Sequence, residues 1–313
     1  MSRPFRFGVD LQAPLPDRTW ADSARDVEDL GYSTLFVPDH FDEGLGPIAA
    51  MSVAAAVTSE LRIGTLVLDC DYRHPAVLAR EIATIDQISG GRIELGLGAG
   101  WKTSDYTTAG IPMDPPKVRV DRMIEHVEVL KGCFRGEAFD FDGDHYRIDG
   151  LVGTPTPARP GGPPLLIGGG GRRVLSYAAR VADIVGVNAS VHSGAWDAET
   201  VRGTLPERVD ERLEWVRAAA GDRFDDIELN SWLAAVEVTD EPETLVLALA
   251  EMFGLVDADP KELLDSPFNL LGPLSVLGER LIKRRDRWGL SYVVLPGTQA
   301  RTLAPLVAEL TGR

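Results

Sequence analysis

Two short stretches carry residue types that do chemistry. In the first, the apolar run Leu35-Phe36-Val37 stops at Pro38, and Asp39 and His40 follow at once. A histidine beside a carboxylate can be held in one tautomer and can exchange protons near neutral pH. The same pair also fits a plainer reading, an aspartate that caps the next helix and a polar filler behind it. In the second stretch, Gly168-Gly169-Gly170-Gly171 runs into Arg172 and Arg173, between a strand pattern and a helical one. Glycines let the backbone approach an anion, and a helix start offers unpaired N–H groups and the positive end of its dipole. This reads as a phosphate seat, with a flexible strand–helix turn as the alternative. It is neither a GxGxxG fingerprint nor a P-loop, because no Lys-Ser/Thr follows.

Other candidates lack the spacing their chemistry needs. His74, His126, His145 and His192 have no carboxylate or thiolate partner at metal-ligand spacing, so no metal site is expected. Cys70 and Cys133 stand in no metal or redox pattern, and a core of this size needs no disulfide framework. No G-x-S-x-G is present.

The elements that must position these residues alternate along the chain. Strand patterns fall at 5–11, 33–37, 61–68, 92–97, 165–167, 183–187, 227–235 and 292–295. Helical patterns fall between them, for example at 17–30, 48–58, 75–89, 172–181 and 206–220. The strands are apolar on both faces, which parallel strands with crossover helices satisfy most economically. Eight such units predict an α/β fold, a (β/α)8 TIM barrel, rather than an open doubly wound sheet. The expectation is one domain over 1–313 with excursions at 99–117, 136–163 and 189–205. The middle excursion holds a hairpin signal at Asp142-Gly143, and the first is read as a loop.

Barrels carry their reactive groups at the carboxyl ends of the strands. The second strand then delivers Asp39 and His40 to the mouth, and the third delivers Asp69, Cys70 and Asp71. The fourth brings Gly98, Gly100, Trp101, Ser104 and Asp105; the fifth brings the glycine run; the sixth brings Asn188. The end of the first strand brings Asp10.

Bulk properties narrow the partners. The 313 residues are 44% hydrophobic, with a net charge of -16. A negative field repels nucleic acid and anionic lipid, so neither is expected to bind. No run reaches the ~18 apolar residues of a membrane span. MSRPFRFGVD has no signal-peptide pattern, so a cytoplasmic protein acting on a small-molecule substrate is expected.

Several stretches together resemble the luciferase-like monooxygenase superfamily, and within it the oxidoreductases that use the deazaflavin coenzyme F420. They are FGVDL, GYSTLFVPDHF, LRIGTLVLDCDYRHPAVLAREIATIDQISGGRIELGLGAGW, LLIGGGGRRVLSYAARVADIVGVN and SPFNLLGPLSVLGERLIKRRDRWGLSYVVLPG, and they span nearly the whole chain. Arg62 to Trp101 is the most specific part, with RHP, the SGGR turn and the GxGxGW strand end. The resemblance implies that Asp39 contacts the deazaflavin ring and that His40 faces the reacting edge and handles a proton. It implies a non-prolyl cis peptide at Leu66–Val67 in the third strand, a bulge behind the ring, with Asp69 as a ring or ribityl contact. Ser104 would meet the cofactor tail. Gly169, Gly170, Gly171 and Arg172 would seat its phosphate, with Asn188 nearby. FMN, used with O2 by two-component monooxygenases on the same fold, is the alternative cofactor, and a non-catalytic flavin- or deazaflavin-binding protein is the third reading. A homodimer is also implied. The branch that oxidises sugar phosphates has an acidic residue where this chain has Trp101, so a glucose-6-phosphate dehydrogenase is not expected. Trp101 and Tyr106 are read instead as walls of a pocket for a hydrophobic substrate.

Overall fold

A computed structural model describes residues 3–42 and 44–313. The strands, in chain order, are β1 (Arg6–Asp10), β2 (Thr34–Val37), β3 (Arg62–Thr65), β4 (Leu68–Asp69), β5 (Ile93–Gly98), β6 (Ala138–Asp142), β7 (Arg147–Val152), β8 (Leu165–Gly169), β9 (Ile184–Val187), β10 (Glu228–Trp232), β11 (Ala235–Val238), β12 (Asn269–Gly272) and β13 (Leu290–Pro296). The helices are α1 (Trp20–Asp29), α2 (Pro47–Val57), α3 (Pro75–Ser89), α4 (Thr103–Ala109), α5 (Pro116–Phe134), α6 (Arg172–Val181), α7 (Ala198–Arg202), α8 (Pro206–Ala220), α9 (Pro242–Met252), α10 (Pro260–Asp265), α11 (Leu274–Trp288) and α12 (Ala300–Leu310).

The fold is a (β/α)8 barrel of eight parallel strands, with β4 continuing the line of β3. Its residues are distributed over two compact units that interleave along the chain. One unit holds the chain up to Asp10, Asp29–Ser33 and Gly168–Arg313. Within it the parallel ladder runs β9–β10–β13–β1. The other holds Leu11–Glu28 and Thr34–Ile167, with the parallel ladder β2–β3–β5–β8. All four residues of β2 and all six of β5 are buried, as strands covered on both faces must be.

Local sequence explains where the helices begin and end. Helices α2, α3, α5, α8, α9 and α10 each open on proline, whose missing N–H would be unpaired there in any case. Gly90, Gly110 and Gly289 close α3, α4 and α11 in the left-handed conformation.

Three segments differ from the expected elements. The excursion 99–117, read as a loop, contains the short helix α4, and α5 already begins within it at Pro116. The expected strand 227–235 divides: β10 stays in the barrel ladder, and β11 pairs with β12 in a separate two-stranded parallel sheet. β12 has no counterpart among the expected strands. β6 and β7 form the antiparallel hairpin expected around Asp142-Gly143. Cys70 and Cys133 are buried free thiols. No helix among the described residues is long and apolar enough to cross a membrane.

Candidate active site

The tip of β2 turns its two polar residues to different partners. His40 Nδ1 lies 2.6 Å from Asp105 Oδ2, and the Phe41 N–H donates to Asp105 Oδ1 at 3.2 Å. The aspartate side chain is only 2% exposed, whereas the histidine side chain is 22% exposed. A carboxylate accepts at this contact, so the proton sits on Nδ1 and the other ring nitrogen, Nε2, is left to exchange protons. Trp101 packs edge-on to the imidazole, with ring centroids 5.8 Å apart.

Asp39 does not pair with its neighbour. Its carboxylate takes a two-pronged contact from Arg73, at 2.5 Å to Oδ2 and 3.1 Å to Oδ1. The Asp69 N–H also donates to Asp39 Oδ2, at 3.2 Å. A fork of this kind holds a carboxylate in one orientation. The arginine belongs to the RHP motif ahead of α3, so that motif reaches back to the tip of β2.

β4 contributes a second carboxylate cluster. The Tyr106 hydroxyl lies 2.7 Å from Asp69 Oδ2 and 2.8 Å from Asp71 Oδ2. One phenol has one O–H, so only one of these contacts can use its proton. Burial pushes Asp69 up to about 6, with the Asp71 and Asp39 charges adding to the rise against hydrogen bonds that lower it. Burial raises Asp71 as well. A proton held on either carboxyl would let the second contact form as a hydrogen bond too. Gly100 makes the arrangement possible. Its φ is +71°, and a Cβ there would stand 1.9 Å from the Tyr106 hydroxyl oxygen and 2.4 Å from Asp69 Oδ2. The Leu66–Val67 peptide bond between β3 and β4 is cis.

The glycine run lies in the other unit. Gly169 ends β8 and its carbonyl accepts from the Asn188 N–H at 3.0 Å. A Cβ on Gly170 would stand 2.4 Å from the Ala189 and Ser190 backbone, so only glycine fits the close approach of these two segments. α6 then starts at Arg172 with no side-chain cap at Gly171, and a helix start of this kind carries the positive end of the helix dipole. In the same unit the indole N–H of Trp232 donates to Asp10 Oδ2 at 3.2 Å. Oδ1 of that aspartate is buried without a hydrogen-bond partner, and burial pushes the carboxyl up to about 7.

Residues 1–235 match the sequence pattern of the luciferase-like monooxygenases. The chain belongs to this family. A 5,10-methylenetetrahydromethanopterin reductase of Archaeoglobus fulgidus is 31% identical over 188 residues, covering 59% of this chain and 53% of that protein. An F420-dependent glucose-6-phosphate dehydrogenase of Nocardia farcinica is 35% identical over 176 residues, covering 53% of this chain and 52% of that one. The chain thus spans about half the length of these curated relatives. The crystal structure of a monooxygenase from Streptomyces bottropensis superposes with a TM-score of 0.75 over 97% of this chain and 98% of that one, at 20% identity, and shares the fold.

In this luciferase-like chain several predicted site residues come together within one unit: Asp39, His40, Asp69, Trp101 and Tyr106 are linked through the contacts described. Leu66 and Val67 stand at the cis bond, and Ser104 is exposed on α4. Tyr106 has a different task from the one expected. It is wholly buried, so its ring offers no pocket wall, and its hydroxyl serves the carboxylates. Gly169, Gly170, Gly171, Arg172 and Asn188 gather at the end of β8 and the start of α6, although nothing within 4 Å demands glycine at 171. Two residues were missed as partners, Asp105 and Arg73. Both stand in stretches singled out for other reasons, after the fourth strand and in RHP, but no local spacing ties them to residues 65 and 34 positions away.

Proposed function

We propose that this protein is an F420-dependent oxidoreductase acting on a small, uncharged and mainly hydrophobic organic substrate. The observation that carries this reading is His40, held through Nδ1 by buried Asp105 with Nε2 left for proton exchange, in a chain of the luciferase-like family. Bound F420 would supply the hydride chemistry, accepting or donating a hydride at C5 of the deazaflavin. The protein's part is to bind, orient and move a proton. Asp39, braced by Arg73, contacts the ring; Leu66, Val67 and Asp69 support it; Ser104 meets the tail. Gly169, Gly170, Gly171 and Arg172, with Asn188, seat the phosphate. The close-packed turn at Gly170 and the uncapped start of α6 fit a phosphate-bearing cofactor. His40 gives a proton to the substrate, or takes one from it, at Nε2. The Nocardia farcinica relative, named for F420, supports this cofactor over FMN, and the absence of an acid at Trp101 argues against a sugar phosphate. We read residues 1–313 as one domain, because each unit has only half of the barrel strands, and as a homodimer. A mass of twice 33.9 kDa by light scattering would bear out the dimer.

The test is His40→Ala. Turnover of a carbonyl, alcohol and enone panel with F420 should fall on the order of 10²–10⁴-fold, the usual contribution of a general acid or base. Cofactor affinity should be retained. Unchanged turnover would remove His40 from the chemistry.

A further inference from the structure

The unit that includes Gly168–Arg313 holds a partly open cavity of about 320 Å³. Trp196, Val246, Leu249, Ala250, Phe253 and Leu263 form most of its wall. It sits against a cluster of buried apolar side chains that joins α7, α9, α10 and β12. No charged side chain lines it among the described residues. Its few polar side chains already make hydrogen bonds within the protein. The Thr204 hydroxyl donates to the Val201 carbonyl at 2.7 Å, and the Asn269 amide donates to the Leu263 carbonyl at 2.8 Å. The Trp232 indole N–H is turned away to Asp10. An ion entering here would lose its hydration and meet no opposite charge on the wall. An apolar group would lose nothing.

Place and size narrow the occupant. Trp232 ends β10, so the cavity reaches the carboxyl end of a barrel strand, where barrel enzymes hold their reactants. Its volume is roughly twice that of a ~150 Å³ apolar cavity that takes up one benzene ring. Met252, 73% exposed at the end of α9, gives the rim an adaptable apolar side chain.

We propose that this cavity receives the apolar body of the organic substrate, an uncharged group with the bulk of two fused six-membered rings. The word substrate rests on the oxidoreductase reading; the binding itself does not. The cofactor-free, full-length protein is titrated with 4-bromotoluene, whose heavy atom quenches the fluorescence of Trp196 and Trp232. Quenching should saturate at one site per chain and should be competed by tetralin. The anion 4-bromobenzoate should not reproduce it. Ala250→Phe fills the space and should weaken 4-bromotoluene by on the order of tenfold or more, while F420 titrates as in the wild type. Phe253→Ala enlarges the cavity and should shift the preference towards tetralin over 4-bromotoluene, which provides a second readout should Ala250→Phe not fold. Unsaturable quenching, equal binding of 4-bromobenzoate, or an unmoved preference in Phe253→Ala would overturn the proposal. So would quenching lost only at high protein concentration, the mark of a second copy's side chain in the cavity. If F420 fails to bind while 4-bromotoluene still saturates, the oxidoreductase reading falls and the cavity assignment stands; the converse result reverses the two.

Discussion

His40 has two ring nitrogens with different tasks. Nδ1 faces a buried carboxylate, and Nε2 is the atom through which protons can move. Asp105 is therefore a positioning residue. Asp105→Asn should reduce turnover by on the order of 10-fold or more, because an amide no longer selects the Nδ1–H tautomer. The shape of the pH–rate profile should change while F420 affinity and the urea midpoint hold; an unchanged profile would reduce Asp105 to a structural role. Asp10 gives a second test, in stability. Its carboxyl is pushed from 3.8 up to about 7 by burial. Between those values the folded chain binds a proton that the unfolded chain has released, so this group's contribution falls as pH rises through about 7. Asp10→Asn removes the loss. Relative to the wild type, the variant should gain in urea midpoint on going from about pH 5 to about pH 8; an equal difference at both would show that Asp10 does not titrate there. The residues themselves were legible in the sequence, since Asp39, His40, Asp69 and Asp105 all stand where strands were read to end. Their pairing was not. Adjacent Asp39 and His40 invite the reading that they pair with each other, and only the folded chain brings Arg73 and Asp105 to them.

At the scale of the element, seven residues of α4 join two strand tips. Asp105 reaches the tip of β2, and the next residue, Tyr106, reaches the carboxylates after β4. Gly100 clears the way for the second contact. Gly100→Ala forces a side chain into the left-handed region, costing about 1–2 kcal/mol, and drives its Cβ into the Tyr106 hydroxyl. A lower urea midpoint together with weaker F420 binding is the expected result. Tyr106→Phe removes the hydroxyl that bridges the Asp69 and Asp71 carboxyls, at a cost of about 1–3 kcal/mol. Thermal unfolding reads this loss, and an unaltered midpoint would mean that the carboxyls find other partners. The sequence gives α4 little helical signal. TSDYTTA is short and threonine-rich, its buried face is two residues wide, and it falls between Gly100 and Gly110. β12 was hidden for another reason: NLLG is four residues long, and its partner β11 follows β10 so closely that the two read as one strand.

At the scale of the whole molecule, the barrel was the most legible feature. The eight expected strands fall at its eight positions, and β2, β5 and β9 are buried along their whole length, which leaves apolar runs visible in the sequence. The cavity was not legible, since its wall is assembled from α7, α9, α10 and the β11–β12 pair, and no single segment shows it. The net charge of -16 acts over the entire surface. An anionic cofactor approaches against that field, so its association rate in stopped flow should rise with added salt as the repulsion is screened. A falling rate would mean that the arginines at the start of α6 dominate the approach. The central claim, that this barrel is built for a deazaflavin, is tested most directly by titrating the purified protein with oxidised F420 and, separately, with FMN, following fluorescence quenching. Saturable quenching of F420 at lower concentration than FMN is the predicted result; tighter binding of FMN, or no binding of F420, would contradict it.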